Sequence, residues 1–247
     1  MFAHTITDAG LTRAFTDRRG GVSSAPFAEL NLGDHVGDDP AAVATNRARL
    51  AAALGLDVSA LSFMHQLHGT AVAQVTTSDQ ATPSDRDGPA PHADALVSAA
   101  PEVALVVLVA DCIPVLLWDD ATGVIAAAHA GRPGLRAGVL PATVAAMRDL
   151  GAREIHALLG PSVCGRCYEV PAQMQADVAR VVPATRVTTR QGTPGLDLAA
   201  GALAQLAALD VRADAVAECT AETGSLFSYR RERRTGRCAG VIVRRAG

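Results

Sequence analysis

The chain has 247 residues, with 49% hydrophobic, 19% charged and only 3% aromatic side chains. That is enough to bury a core built from Ala, Val and Leu, and it excludes disorder as the main state. The 22 basic residues against 25 acidic ones give a net charge of -3 with no long basic run, which excludes a nucleic-acid stripe.

No lysine occurs, so every basic residue is an arginine. Schiff-base, pyridoxal and P-loop chemistry, which need a lysine amine, are thereby excluded. Any phosphate must be held by arginine forks, backbone amides or a metal. Met1 opens a polar, mixed segment without the apolar core of a signal peptide, so the cytoplasm is the expected compartment. Nothing in the chain suggests a membrane partner, and a monomer is expected.

In chain order, Asp39 and Pro40 read as an N-cap and first-turn proline opening a helix that stops at Gly55. An apolar strand is expected at Ala71–Val75, followed by a polar surface loop from Thr82 to His92. Further strands are expected at Ala104–Val109, Val115–Trp118 and Val124–Ala128. The apolar run Val103–Trp118, broken by Asp111 and Pro114, is shorter than the roughly 20 residues of a membrane helix and reads as buried core. A helix follows from Leu135 to Leu150, with Pro141 forcing a late start or a break. Then come a strand at His156–Leu159, helices at Ala172–Val182 and from the cap Asp197 through Ala208, and a strand at Gly240–Arg244. Several strands in succession without intervening helices favour α+β, in one continuous domain spanning 1–247. A three-layer arrangement, its central strands covered by helices, would bury the continuous apolar runs.

Three segments place a metal-capable or nucleophilic side chain where an apolar run meets small residues: His65–Gly69, Ala110–Pro114 and Ala128–Gly131. Glycine or proline beside a strand end lets backbone approach a ligand closely. His68, Cys112 and His129 together supply the three ligands of a catalytic zinc, whose bound water becomes a nucleophile near neutral pH. The same Cys112 and His129 also suit a thiolate nucleophile with its histidine base. The bland alternative is a packed thiol and hydrogen-bonded core histidines. His68 is preferred to His65 because Gly69 stands beside it. His4, His35, His92 and His156 have no convergent neighbours in sequence and are expected in surface or core roles.

The five cysteines are an odd number in a chain large enough to fold without staples, which argues against a disulfide framework. Cys164-Gly165-Arg166-Cys167 has redox or zinc-knuckle spacing but no second such pair, and reads as two adjacent structural thiols. The arginines and aromatics of 227–234, together with Arg47, are the best candidates for binding an anion while a ring stacks on a base.

The segments FTDRRGGVS, LNLGDHVGDD with Asn46-Arg47, QLHG, ADCIPVLL, AAAHAG, LGPSVC with CYEV, and FSYRRERRTGR occur in order from Phe15 to Val243. This series resembles the YfiH-like, laccase-domain family, also called the purine nucleoside phosphorylase or polyphenol oxidase family. The resemblance implies a single α+β domain of the kind shared with the cytotoxic necrotizing factor catalytic domain. It also implies a zinc pocket with His68, Cys112 and His129 as ligands and catalytic residues, copper being the alternative metal. The implied activities are phosphorolysis of adenosine, guanosine, inosine and methylthioadenosine, and hydrolytic deamination of adenosine. Asn31, Arg47, Gln66, Asp111, Ser228, Arg230 and Arg231 are the substrate-binding residues expected within these motifs, with purine nucleosides and phosphate as partners. One departure stands out: the family usually reads HAGWRG where this chain has His129-Ala130-Gly131-Arg132-Pro133-Gly134. A true multicopper laccase is excluded by counting, because seven histidines with no HxH pair cannot build its copper clusters.

Overall fold

The structure is a computed structural model that describes residues 1–76 and 90–246. Most of the polar loop expected from Thr82 to His92 lies outside the described residues. Thirteen strands are described: β1 (Phe2–Asp8), β2 (Leu11–Thr16), β3 (Leu61–Ser62), β4 (Val72–Gln74), β5 (Ala95–Ser98), β6 (Ala104–Val109), β7 (Ile113–Trp118), β8 (Ile125–Ala130), β9 (His156–Leu159), β10 (Arg186–Thr188), β11 (Pro194–Leu196), β12 (Arg212–Ala215) and β13 (Cys238–Arg244). The helices are α1 (Pro40–Ala53), α2 (Arg132–Ala137), α3 (Val139–Asp149), α4 (Ala172–Ala179), α5 (Leu198–Ala207) and α6 (Tyr229–Glu232).

Two mixed sheets result, in the orders β1-β2-β13-β6-β3 and β12-β9-β7-β8-β5-β4, with β10-β11 as a separate pair. Side-chain alternation along the strands explains how they stack. On β6, Leu105, Val107 and Val109 join Leu96, Leu116, Ile125 and Ala127 of the other sheet in one buried cluster. The alternate residues Ala104, Val106 and Leu108 pack instead with Leu50 and Ala51 of α1. On the second sheet, Val115, Leu117, Ala126 and Ala128 face outward against Val139, Val144 and Met147 of α3 and Leu206 of α5. The α+β class is therefore as expected, but the strand layer is double: two sheets back to back, each covered by helix. The apolar runs of β6, β7 and β8 are continuous because both of their faces are buried.

Local signals account for the helix boundaries. Asp39 accepts a hydrogen bond from the Ala41 amide and Asp197 from that of Ala200, which makes both of them side-chain caps. The expected helix at Leu135–Leu150 breaks at Gly138, whose φ of 100° is left-handed, rather than at Pro141. Pro141 falls in the first turn of α3, where a missing amide hydrogen costs nothing.

Candidate active site

The positions of β7 and β8 determine the site. His129 continues the row of Ile125 and Ala127 on β8, so it projects into the inter-sheet side at the end of that strand. Cys112 lies immediately before β7, which pairs antiparallel with β8. His68 stands in the loop between β3 and β4 with φ 60°, and Asp111 has φ 89°. Two non-glycine residues in the left-handed region at one site signal backbone held against its preference by the surrounding structure.

The holding group is Asp94, at the mouth of β5 and 1% exposed. Its carboxylate accepts hydrogen bonds from the amides of Leu67, His68 and Gly69 at 3.1, 2.8 and 2.6 Å. It also accepts from His129 Nδ1 at 2.9 Å, while its own backbone carbonyl receives the His129 amide at 2.7 Å. One buried carboxylate thus fixes both the His68 loop and the His129 ring, in the way carboxylates orient metal-binding histidines.

The donor atoms of His68, Cys112 and His129 lie within 4.8 Å of one another. His68 Nε2 is 3.8 Å from Cys112 Sγ, and the two imidazoles meet edge to face with centroids 4.6 Å apart. Gly131 makes room for this meeting: a Cβ there would stand 2.6 Å from His68 Cδ2 and 3.1 Å from Cys112 Sγ. With Nδ1 committed to Asp94, His129 turns its other nitrogen toward the thiol. Two imidazoles and one thiol converging beside a cavity fit zinc, and three protein donors is the count of a catalytic site. The His₂Cys set also suits copper.

Without a metal, the same contacts create an ion pair. Burial pushes the Cys112 thiol up, but the His129 and His68 imidazoles overcome this and bring it down to about 6. Burial likewise pushes His129 down, and the charges of Cys112 and Asp94 reverse it to about 9. Burial opposes ionisation of Asp94 too, yet its bonds from His129, Gly69 and His68 leave it below the ordinary carboxylate range.

The trio opens on a cavity of about 670 Å³, within the roughly 300–1,000 Å³ of small-molecule sites. Among the described residues, four arginines line it: Arg47, Arg132, Arg230 and Arg237. The Arg47 guanidinium lies 4.1 Å over the ring of Phe63 and that of Arg230 4.9 Å over Tyr168, and both rings also line the cavity. Arg47 is buried, donates to the Leu32 carbonyl at 3.0 Å and pairs with Asp34 at 3.2 Å.

The structure distributes the remaining expected residues unevenly. Gln66 lines the cavity, but its amide is bonded at both ends to the backbone of Leu108. Asp111 also lines it, with its carboxylate accepting from Thr220 Oγ1 and the Arg230 amide, both at 2.6 Å. Asn31, Ser228 and Arg231 are outside the cavity lining. Asn31 is fully buried and ties Gly33, Asp38 and Arg237 together. Ser228 caps α6, and Arg231 donates to the carbonyls of Thr220, Thr223 and Leu226. These three shape the backbone from which Arg230 and Arg237 reach the site. His35, His65 and His92 line the cavity too, with the last two rings 5.2 Å apart. Sequence reasoning missed Asp94 and Arg237. Asp94 had a visible signal, an aspartate directly before an apolar strand in the same manner as the Asp111-Cys112 pair. Arg132, which stands where the family usually has Trp, takes a place in the cavity lining.

Fold and trio together define a class, and comparison with known proteins agrees. Residues 12–245 match the family described as multi-copper polyphenol oxidoreductase laccase, and the chain belongs to that family. Among solved structures, Bacillus licheniformis hypothetical protein YfiH superposes with a TM-score of 0.89 at 29% identity, covering 99% of this chain and 100% of that one. YlmD from Geobacillus stearothermophilus gives 0.86 at 31% identity, covering 96% and 93%. Relatives in sequence bear a more particular name, purine nucleoside phosphorylase. That of Streptomyces coelicolor is 53% identical over 245 residues, 98% of this chain and 99% of its own. One from Mycobacterium tuberculosis is 49% identical over 235 residues, 94% and 91% of the two chains. Among the described residues, no helix is long and apolar enough to cross a membrane.

Proposed function

We propose that this protein is a purine nucleoside phosphorylase acting on adenosine, guanosine, inosine and methylthioadenosine, with adenosine deaminase activity at the same site. The observation that carries the reading is the meeting of His68, Cys112 and His129 around Gly131 at the wall of an arginine-lined cavity. The names of the relatives support it.

Phosphate is held by arginines that line the cavity, Arg230 and Arg47 first, with Arg237 beside them in the lining. A phosphate oxygen attacks the anomeric carbon, the bond from ribose to purine breaks, and the base leaves with a proton. Tyr168 and Phe63, already faced by guanidinium groups, offer rings for the base or ribose. His68, Cys112 and His129 would hold zinc, which when bound supplies Lewis acidity and acidifies water for attack on the purine ring. Asp94 keeps His129 in the tautomer whose free nitrogen faces Cys112. Asp111 has both carboxylate oxygens engaged and serves as a positioning residue, so proton transfer falls to His65. The purified protein, given adenosine, should release adenine and ribose 1-phosphate only when phosphate is added, and inosine with or without it. Failure to form either product would refute the reading.

A second reading is favoured by one observation. Cys112, His129 and Asp94 form a relay in which the thiol is depressed to about 6 and His129 Nδ1 bonds a buried carboxylate. That is the arrangement of a cysteine hydrolase acting on amide bonds, for example in cell-wall precursors. It demands activity with metal removed and an acyl adduct on Cys112 visible by mass spectrometry.

A further inference from the structure

Away from the cavity trio, a second group of donors comes together from two distant stretches of chain. Cys164 and Cys167 sit on one turn, and Cys219 and Glu222 on the loop after β12. Their donor atoms all lie within 4.8 Å of one another, and none of the cysteines is in a disulfide. We propose that Cys164, Cys167, Cys219 and Glu222 form a second, structural zinc site.

The donor number and type fit. Structural zinc is tetrahedral with four protein ligands rich in thiolate, and CxxC is the spacing that places two thiolates on one turn. Zinc–sulfur bonds of about 2.3 Å put tetrahedral sulfurs about 3.8 Å apart, so the observed cluster needs a contraction of at most about 1 Å. The backbone already holds the two stretches together: Ser162 and Cys219 form a parallel bridge, and the Thr220 amide donates to the Ser162 carbonyl at 3.1 Å. The Cys164 amide points at Cys219 Sγ, 3.3 Å away. Arg190 completes the surroundings, donating to Cys167 Sγ at 3.2 Å and pairing with Glu222. A zinc ion with three thiolates and one carboxylate carries a net charge of -2, which an adjacent guanidinium partly offsets. Cys219 is buried, Cys164 and Cys167 are half-buried and Glu222 is exposed, so an ion has a route in.

The consequence is structural support for the cavity. Val163 precedes Cys164, Tyr168 follows Cys167, and both line the cavity. Thr220 follows Cys219 and donates to Asp111, the neighbour of Cys112. An ion at the cluster fastens these flanks from outside without touching substrate.

The test is zinc per chain, by elemental analysis of the full-length protein purified under reducing conditions. Cys112→Ser, which disables the trio, should keep one zinc, and adding Cys164→Ser and Cys167→Ser should remove it. Cobalt(II) added to the stripped Cys112→Ser protein should develop a thiolate-to-cobalt charge-transfer band that the triple variant lacks. Because the triple variant risks misfolding, Glu222→Gln in the Cys112→Ser background gives a gentler check. It should keep the fold by circular dichroism while a chromophoric chelator extracts its zinc at least tenfold more readily. A zinc-free Cys112→Ser protein with reduced thiols that shows no cobalt band would overturn the proposal. So would a Cys164–Cys167 disulfide in the purified protein, or zinc retention unchanged by Glu222→Gln.

Discussion

Gly131→Ala is the smallest change that tests whether the trio works by close approach. Gly131 has φ -76°, a value alanine adopts freely, so the substitution adds one methyl group without backbone strain. That methyl would sit 2.6 Å from His68 Cδ2 and 3.1 Å from Cys112 Sγ. Carbon atoms prefer separations of about 3.5–4.0 Å, so the His68 ring must retreat by about 1 Å. Overpacking of this kind costs about 1–3 kcal/mol of stability. A displacement of about 1 Å at reacting groups costs about 100-fold in rate, and metal–ligand distances tolerate only about 0.2 Å. The variant should therefore stay folded, lose about 100-fold in kcat/KM for adenosine phosphorolysis, and bind zinc at the trio more weakly. Thermal denaturation, steady-state kinetics and metal analysis measure the three quantities. Wild-type kcat/KM in a folded Gly131→Ala protein would refute the steric reasoning.

Further outcomes follow from other contacts. Asp94→Asn leaves one oxygen to serve three amides and an imidazole; with buried donors unsatisfied, unfolding free energy should fall by roughly 1–3 kcal/mol, read by denaturant titration. In metal-stripped protein, Cys112 is a thiolate above pH about 6, so its alkylation rate should climb through pH 6. Removing the imidazole with His129→Ala should move that midpoint upward, and an unchanged midpoint would contradict the pairing. Arg230→Ala removes a cavity guanidinium while keeping the amide that bonds Asp111. It should raise the KM for phosphate tenfold or more, about 1.4 kcal/mol, and leave phosphate-independent deamination near wild type.

The parts of this protein legible in sequence are those whose cause is local. The Asp39-Pro40 cap and the doubly buried runs of β6, β7 and β8 announce themselves by composition alone. The sheet β1-β2-β13-β6-β3 is harder to see, because its N-terminal hairpin β1–β2 is rich in polar residues and β3 is only two residues long. The break at Gly138 escaped because proline, the stronger breaker, stood nearby at a position where it does no harm. The trio was reachable because each member has glycine or proline within two residues; Cys112 and His129 do lie at strand ends, but His68 lies in the loop between β3 and β4. The trio's support was legible only in part: Asp94 stands directly before the apolar strand β5, but the amides and imidazole it holds are brought to it only by the folded chain. Asn31, Ser228 and Arg231 show the converse: a motif residue that binds backbone looks, in sequence, like one that binds a ligand. Cys219 and Glu222 lie more than fifty residues from Cys164, and nothing but tertiary folding joins them to that turn.

In the proposed reaction, nucleoside cleavage depends on a metal at His68, Cys112 and His129, whose Lewis acidity would polarise the departing purine. The most direct test is phosphate-dependent adenine release from adenosine, measured on stripped protein and again after zinc is restored. Activity should vanish on stripping, return with zinc, and stay absent in Cys112→Ala under both conditions. Full turnover by stripped protein, or by Cys112→Ala, would contradict that dependence.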